Sequence, residues 1–253
     1  MDIKMIVTDL DHTLLRHDKT VSNYTSWVFQ CIRNCGILIA FATARDFRFV
    51  TEYIAPLTGI KPDVLIAANG ALVRHDGIDV YRRMIPKNTI NALMTRFKLV
   101  RSISTEYDYY ILEEYSNNHW STGKKATIIT DFSKEIENDA FYLDGNINKP
   151  LPTLTECYPE IRTVAYSDVD LITIVHHEAT KLNALNAVKS MLNIRTSDIA
   201  VFGDDYSDIE MLTGCHNSIA VANAIDECKA VANYLCGGCE EDGVAKWIEE
   251  NVL

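Results

Sequence analysis

Carboxylates mark the chemistry of this chain. Asp9 and Asp11, separated by one residue, stand at the end of Ile3–Thr8, and Asp204, Asp205 and Asp208 follow Ile199–Gly203. Thr43 and Arg45 follow the apolar run Ile37–Ala42, and Lys181 opens a helical pattern. Several carboxylates drawn into one crevice repel one another unless a cation neutralises them. A few hard oxygen ligands, completed by water, suit Mg²⁺. The expectation is that these five acidic side chains gather around one ion, with Asp9 left bare toward an incoming phosphorus. A Mg²⁺ site beside a carboxylate, the Thr43 hydroxyl and the Lys181 ammonium is matched to phosphoryl transfer, where positioning and charge dispersal dominate. A carboxylate can act there as nucleophile through an aspartyl phosphate. Each residue alone also has a plainer reading. Asp9 and Asp11 suit a turn, Thr43 can end a strand, Arg45 and Asp46 can cap the next helix, and Lys181 can be a solvated first-turn residue. A lysine near a helix N-terminus opposes the helix dipole, which argues for another reason to be there.

These residues share one kind of place. In an open parallel sheet, ligands bind beyond the carboxyl ends of the strands. Val64–Ala68, Ile199–Gly203 and Ser218–Ala222 are continuous apolar segments like Ile37–Ala42, as strands covered by helices on both faces require. Between them, Thr20–Cys35 carries Trp27, Val28, Cys31, Ile32 and Cys35 at helical spacing, with Trp27, Cys31 and Cys35 expected on the buried stripe and Gly36 at the C-cap. A short helix after Arg45 is expected to stop at Pro56. Ala179–Leu192 places Leu182, Leu185, Val188 and Leu192 on one face. From about residue 80 to 178 the pattern changes to aromatics and polar alternation. A helix at Asn88–Phe97 and strands at Thr127–Ile129 and Asp170–Val175 are predicted there, with Tyr107–Tyr110 in the local core. The fold class expected is α/β: a doubly wound parallel-sheet core, residues 1–81 and 179–253, interrupted by an inserted α+β domain, residues 82–178.

Composition narrows the function classes. The chain has 253 residues, of which 47% are hydrophobic, so it can bury a substantial core and is not disordered. Its net charge of −11 opposes phosphate backbones and anionic lipid, so neither nucleic acid nor a membrane surface is the expected partner. The longest apolar run has six residues where a membrane span needs about 20, and the N-terminal residues do not read as a signal peptide, so a cytoplasmic location is expected. Cys236-Gly-Gly-Cys239 is the single Cys-x-x-Cys and lacks a second pair at structural-zinc spacing. The seven cysteines are expected to be unpaired thiols.

In order and spacing, Asp9-Leu10-Asp11-His12-Thr13-Leu14, Thr43, Lys181 and Gly203-Asp204-Asp205-x-x-Asp208 resemble the four motifs of the haloacid dehalogenase-like phosphatases. The insertion is similar to the large α/β cap of their Cof-type branch, as are Asn69-Gly70 and Asn223-Ala224. The resemblance implies a Mg²⁺-dependent phosphatase of small phosphorylated metabolites, sugar phosphates favoured, whose cap closes over the crevice. Asp9 would be nucleophile and metal ligand, and Asp11 the general acid, then base, with its carbonyl on the metal. Thr43 and Lys181 would hold the phosphoryl group, Asp204 would bind Mg²⁺, and Asp208 would support it through water. Arg45 is a candidate for substrate contact. Ser207 and Leu182 depart from the family pattern, which commonly has Asn and Gly there. A phosphomutase or phosphotransferase using the same aspartyl phosphate is the alternative, as is a catalytically weak phosphate-ligand binding module. His12, His176 and His177 are expected to be bystanders.

Overall fold

The computed structural model describes residues 2–96, 100–116, 126–132, 134–146 and 152–253. The chain divides into two compact units, one comprising residues up to Tyr81 and from Thr180 onward, the other Arg82–Ala179. In the first unit, β1 is Met5–Thr8, β2 Leu38–Ala42, β3 Val64–Ala67, β4 Leu72–His75 and β5 Ile78–Arg82. The inserted unit carries β6 (Val100–Thr105), β7 (Tyr109–Leu112), β8 (Ala126–Ile129), β9 (Ala140–Asn146), β10 (Ile161–Ala165) and β11 (Leu171–His176). The chain then returns with β12 (Ile199–Gly203), β13 (Asn217–Val221) and β14 (Tyr234–Cys236).

The first sheet runs β14-β13-β12-β1-β2-β3-β4-β5, and β1, β2, β3, β12, β13 and β14 pair in parallel. Helices such as Asn23–Asn34 and Lys181–Leu192 connect these strands, which makes the core a doubly wound α/β domain. β1, β3, β12 and β13 are buried at every residue, because side chains on both faces meet apolar neighbours. The chain reverses at Asp76-Gly77, both at positive φ, so β4 and β5 form a hairpin edge. The second sheet, β10-β11-β9-β6-β7-β8, is antiparallel apart from the β7–β8 pair. It has its own core, built on Ile85, Leu93, Ile103, Leu143 and Ile174. Among the described residues no helix is long and apolar enough to cross a membrane.

Three expectations about elements need correction. The Asn23–Asn34 helix buries Thr25, Val28, Phe29 and Ile32, whereas Trp27 and Cys35 are exposed and Cys31 only half-buried. The two candidate stripes lie side by side on the helix, and the Thr25 hydroxyl, donating to Asp242 Oδ1 (3.0 Å), belongs to the one that packs. Pro56 does not stop its helix. A wide turn at Val50–Ile54 precedes Ala55–Thr58, and the helix ends at Gly59 with φ 69°. Proline lacks an N–H, and the wider i→i−5 bonding before it absorbs the loss. Of the tyrosine run, Tyr107 is exposed and Tyr110 is the residue that packs against the second core. The helix expected at Asn88–Phe97 spans Lys87–Arg96, and Phe97 lies outside the described residues.

Candidate active site

Pairing of β1 with β12 puts Thr8 opposite Phe202, so Asp9 and Gly203-Asp204 leave the sheet side by side. The Asp9 N–H still donates to the Phe202 carbonyl (3.0 Å), which fixes the backbone where the side chain departs. β2, on the other flank of β1, delivers Thr43 to the same end.

Lys181 is the first residue of its helix, with Thr180 as N-cap accepting from the Asn183 N–H at 3.0 Å. Its ammonium is buried and donates to Asp9 Oδ1 and Asp208 Oδ1, each at 2.7 Å. The plainer reading of Lys181 as solvated is thereby excluded. Asp208 uses its other oxygen to accept the N–H groups of Asp204 (3.1 Å) and Asp205 (3.2 Å), tying the β12 loop to the lysine. Asp204 accepts from the Thr13 hydroxyl at 2.5 Å.

Two glycines permit this arrangement. A Cβ on Gly203 would sit 2.5 Å from the Asp208 Cβ. Gly70 has φ 90°, and a Cβ there would lie 2.2 Å from the Thr180 carbonyl oxygen. The Asn69-Gly70 turn therefore backs directly onto the peptide that introduces Lys181.

Asp9, Asp204 and Asp208 are buried and bring carboxylate oxygens within 4.8 Å of one another. Three of the five expected carboxylates converge. Asp205 caps the short turn Tyr206–Asp208 in a reciprocal bond with Asp208. Asp11 is engaged elsewhere: Arg45 Nε and Nη2 donate to its two oxygens, each at 2.5 Å, and Lys19 Nζ lies 2.9 Å away. Arg45 is stacked over the Phe49 ring at 4.2 Å, so its guanidinium is spent on Asp11 in this structure. The helix cap falls to Asp46, which accepts from the Arg48 N–H at 2.8 Å. Thr43 is buried, and its hydroxyl accepts from the Arg45 N–H at 3.1 Å.

The electrostatics separate the two motif aspartates. Burial, against the pull of Lys181, pushes the Asp9 carboxyl above the usual range, and the charges of Asp208 and Asp11 add to it. Burial, then Asp9 and Asp208, push Asp204 up as well. Burial alone would also raise Asp11, but Arg45 and Lys19 outweigh it and hold its carboxyl at about 2. One lysine cannot balance three buried carboxylates. A divalent cation among Asp9, Asp204 and Asp208 would, and their all-oxygen donor set fits Mg²⁺.

Sequence reasoning missed Lys19, Thr13 and the connecting role of Asn223. Asn223 Nδ2 donates to the His12 carbonyl (2.6 Å), while its Oδ1 accepts the Cys239 N–H (2.9 Å). Thr13 sat inside a motif and was open to inspection. Lys19, at φ 68° in an irregular loop, gives no periodic signal.

A family model described as haloacid dehalogenase-like hydrolase matches residues 6–248. The 5-amino-6-(5-phospho-D-ribitylamino)uracil phosphatase YitU of Bacillus subtilis is 27% identical, over 97% of this chain and 96% of that protein. In fold the chain is similar to a haloacid dehalogenase-like hydrolase from B. subtilis (TM-score 0.83, 22% identity, 99% of this chain and 100% of the other). It is likewise similar to a subclass IIB sugar phosphatase (TM-score 0.82, 17% identity, 98% of each chain).

Proposed function

The chain belongs to the haloacid dehalogenase-like hydrolases, and from that premise we propose that it is a Mg²⁺-dependent phosphatase of a small phosphorylated metabolite, acting through a phosphorylated Asp9. The observation that carries the proposal is Lys181 bonded at once to Asp9 and Asp208, with Asp204 beside them. That geometry leaves Asp9 Oδ2 as the oxygen without the lysine contact and available for attack.

Asp9, Asp204 and Asp208, with the Asp11 carbonyl, would hold the Mg²⁺, which supplies charge neutralisation for the incoming phosphoryl group. Asp9 attacks phosphorus, the bond to the leaving oxygen breaks, and the phosphoryl group becomes an acyl phosphate on Asp9. Lys181 and the Thr43 hydroxyl hold the equatorial oxygens. Asp11 protonates the departing alkoxide and then takes a proton from the water that cleaves the acyl phosphate. The second of these tasks suits the ionised Asp11 that Arg45 and Lys19 maintain. The first requires Asp11 to carry a proton, so its pair with Arg45 opens before leaving-group departure. A substrate of the sugar or sugar-alcohol phosphate class is supported by the named activities of the similar proteins.

Hydrolysis of p-nitrophenyl phosphate tests the reading. Turnover is expected with Mg²⁺, none after chelation, and none in Asp9→Ala. Turnover surviving Asp9→Ala overturns the nucleophile assignment. A panel of phosphorylated sugars and sugar alcohols then defines the substrate.

A further inference from the structure

A second convergence of metal-ligating groups lies outside the aspartate cluster. Donor atoms of His17, Cys239 and Glu240 all lie within 4.8 Å of one another, although His17 and Glu240 are 223 positions apart. The segments that carry them are fastened by other contacts. The His17 N–H donates to Glu240 Oε1 at 2.8 Å, Arg16 Nη2 donates to Asp242 Oδ1 at 3.1 Å, and Asn223 links the His12 carbonyl to the Cys239 N–H. These contacts hold the two segments within reach of one another.

Their chemistry differs from that of the aspartate site. An imidazole nitrogen, a thiol sulfur and one carboxylate form the mixed donor set that zinc-class ions take and Mg²⁺ does not. Zinc bonds of about 2.0–2.3 Å place tetrahedral neighbours roughly 3.3–3.8 Å apart. His17 Nδ1 and Glu240 Oε1 are already 3.6 Å apart. Closing onto the buried Cys239 falls to these two exposed side chains, which are free to adjust. The His12 ring meets the His17 ring edge-on with centroids 5.0 Å apart, which brings a second imidazole to the same corner. Cys236 is not among the converging donors, so the Cys-x-x-Cys spacing is not what builds the site.

We propose that His17, Cys239 and Glu240 bind a thiophilic divalent cation of the zinc class, with water in the fourth position. Binding exchanges the thiol proton of Cys239 for the metal and releases that proton to solvent. The ion would clip the loop that follows Asp11 to the turn after β14, independently of what the aspartate site does.

Cobalt(II) titrated into the protein, with Mg²⁺ in excess to fill the carboxylate site, provides the test. A sulfur-to-cobalt charge-transfer band with tetrahedral d–d absorption is expected, saturating at one ion and erased by zinc. Cys239→Ser should abolish the charge-transfer band, and Cys236→Ser should leave it unchanged. His17→Ala, a surface change that leaves the core intact, should weaken cobalt binding at least tenfold. No charge-transfer band at saturation, a band that survives Cys239→Ser, one lost in Cys236→Ser, or affinity unaltered by His17→Ala would each overturn the site.

Discussion

Asp9 and Asp11 are two residues apart and live under opposite fields. Asp9 sits where burial outweighs Lys181, so its ionised form is disfavoured by the fold. Asparagine keeps the shape and removes the charge. Asp9→Asn is therefore expected to abolish turnover while leaving the metal-free protein no less stable, because a disfavoured charge is removed and Lys181 keeps its bond to Asp208. Paired activity assays and thermal melts check it, and a clearly lower melting temperature would contradict the field described for Asp9. Asp11 behaves in reverse. Its depressed carboxyl, about 2 against 3.8, contributes stability that is fully present above about pH 5 and is lost as pH falls toward 2. The shift corresponds to roughly 2 kcal/mol, mostly from Arg45. Arg45→Gln should lower stability at pH 7 by up to about that amount, and denaturant melts should show a flatter decline between pH 4 and pH 2. The pairing itself was not legible in the chain, because Arg45 also read as a helix cap and as a substrate contact. Only the third dimension shows Phe49 beneath it and Asp11 in front.

Elements bring these residues to one place through backbone contacts that admit no side chain. At Gly203 the obstacle is purely steric, since its φ is not in the left-handed region and the Asp208 Cβ would lie 2.5 Å away. At Gly70 the turn requires φ 90° as well as contact with the Thr180 carbonyl. Gly70→Ala should cost more than the ~1–2 kcal/mol of left-handed strain alone and should reduce turnover by moving the start of the Lys181 helix. Gly203→Ala should displace Asp208 and reduce turnover with a smaller stability loss. Urea melts combined with kinetics separate the two. Such constraints explain what sequence can and cannot convey at this scale. Continuous apolar runs announced β2, β3 and β12, since a strand covered on both faces is apolar at nearly every position, whereas Thr8 in β1 and Asn217 and Ser218 in β13 are polar residues buried in the same sheet. The Asn23–Asn34 helix carried two adjacent apolar stripes, and periodicity alone chose the one with Trp27 and the cysteines. The structure chose Val28, Phe29 and Ile32. Most strands of the inserted unit, with one face half-exposed and polar residues interspersed, left too weak an alternation to read.

At the scale of the whole chain, the first and last motifs meet because β1 lies between β2 and β12, with Thr8 level with both Phe41 and Phe202. Parallel strands share a carboxyl end, so that register alone puts Asp9, Thr43 and Asp204 within one crevice. The family motifs made this meeting foreseeable; the engagement of Lys19 with Asp11, which no repeat or motif encodes, was not. The same meeting concentrates negative charge in a protein already at −11. Asp9 and Asp204 both have raised carboxyl values in the fold, so above about pH 4 these two sites bind more protons in the native state than in the unfolded chain, and their contribution to stability falls as pH rises. A divalent ion seated among Asp9, Asp204 and Asp208 replaces those protons and removes the penalty. Stabilisation by saturating Mg²⁺ should therefore be larger at pH 8 than at pH 5, where protons compete for the same oxygens. Thermal melts with Mg²⁺ and with chelator at both pH values measure it directly. A Mg²⁺ shift that is equal at the two, or that persists undiminished in Asp204→Asn, would place the ion somewhere other than at the meeting point of β1 and β12.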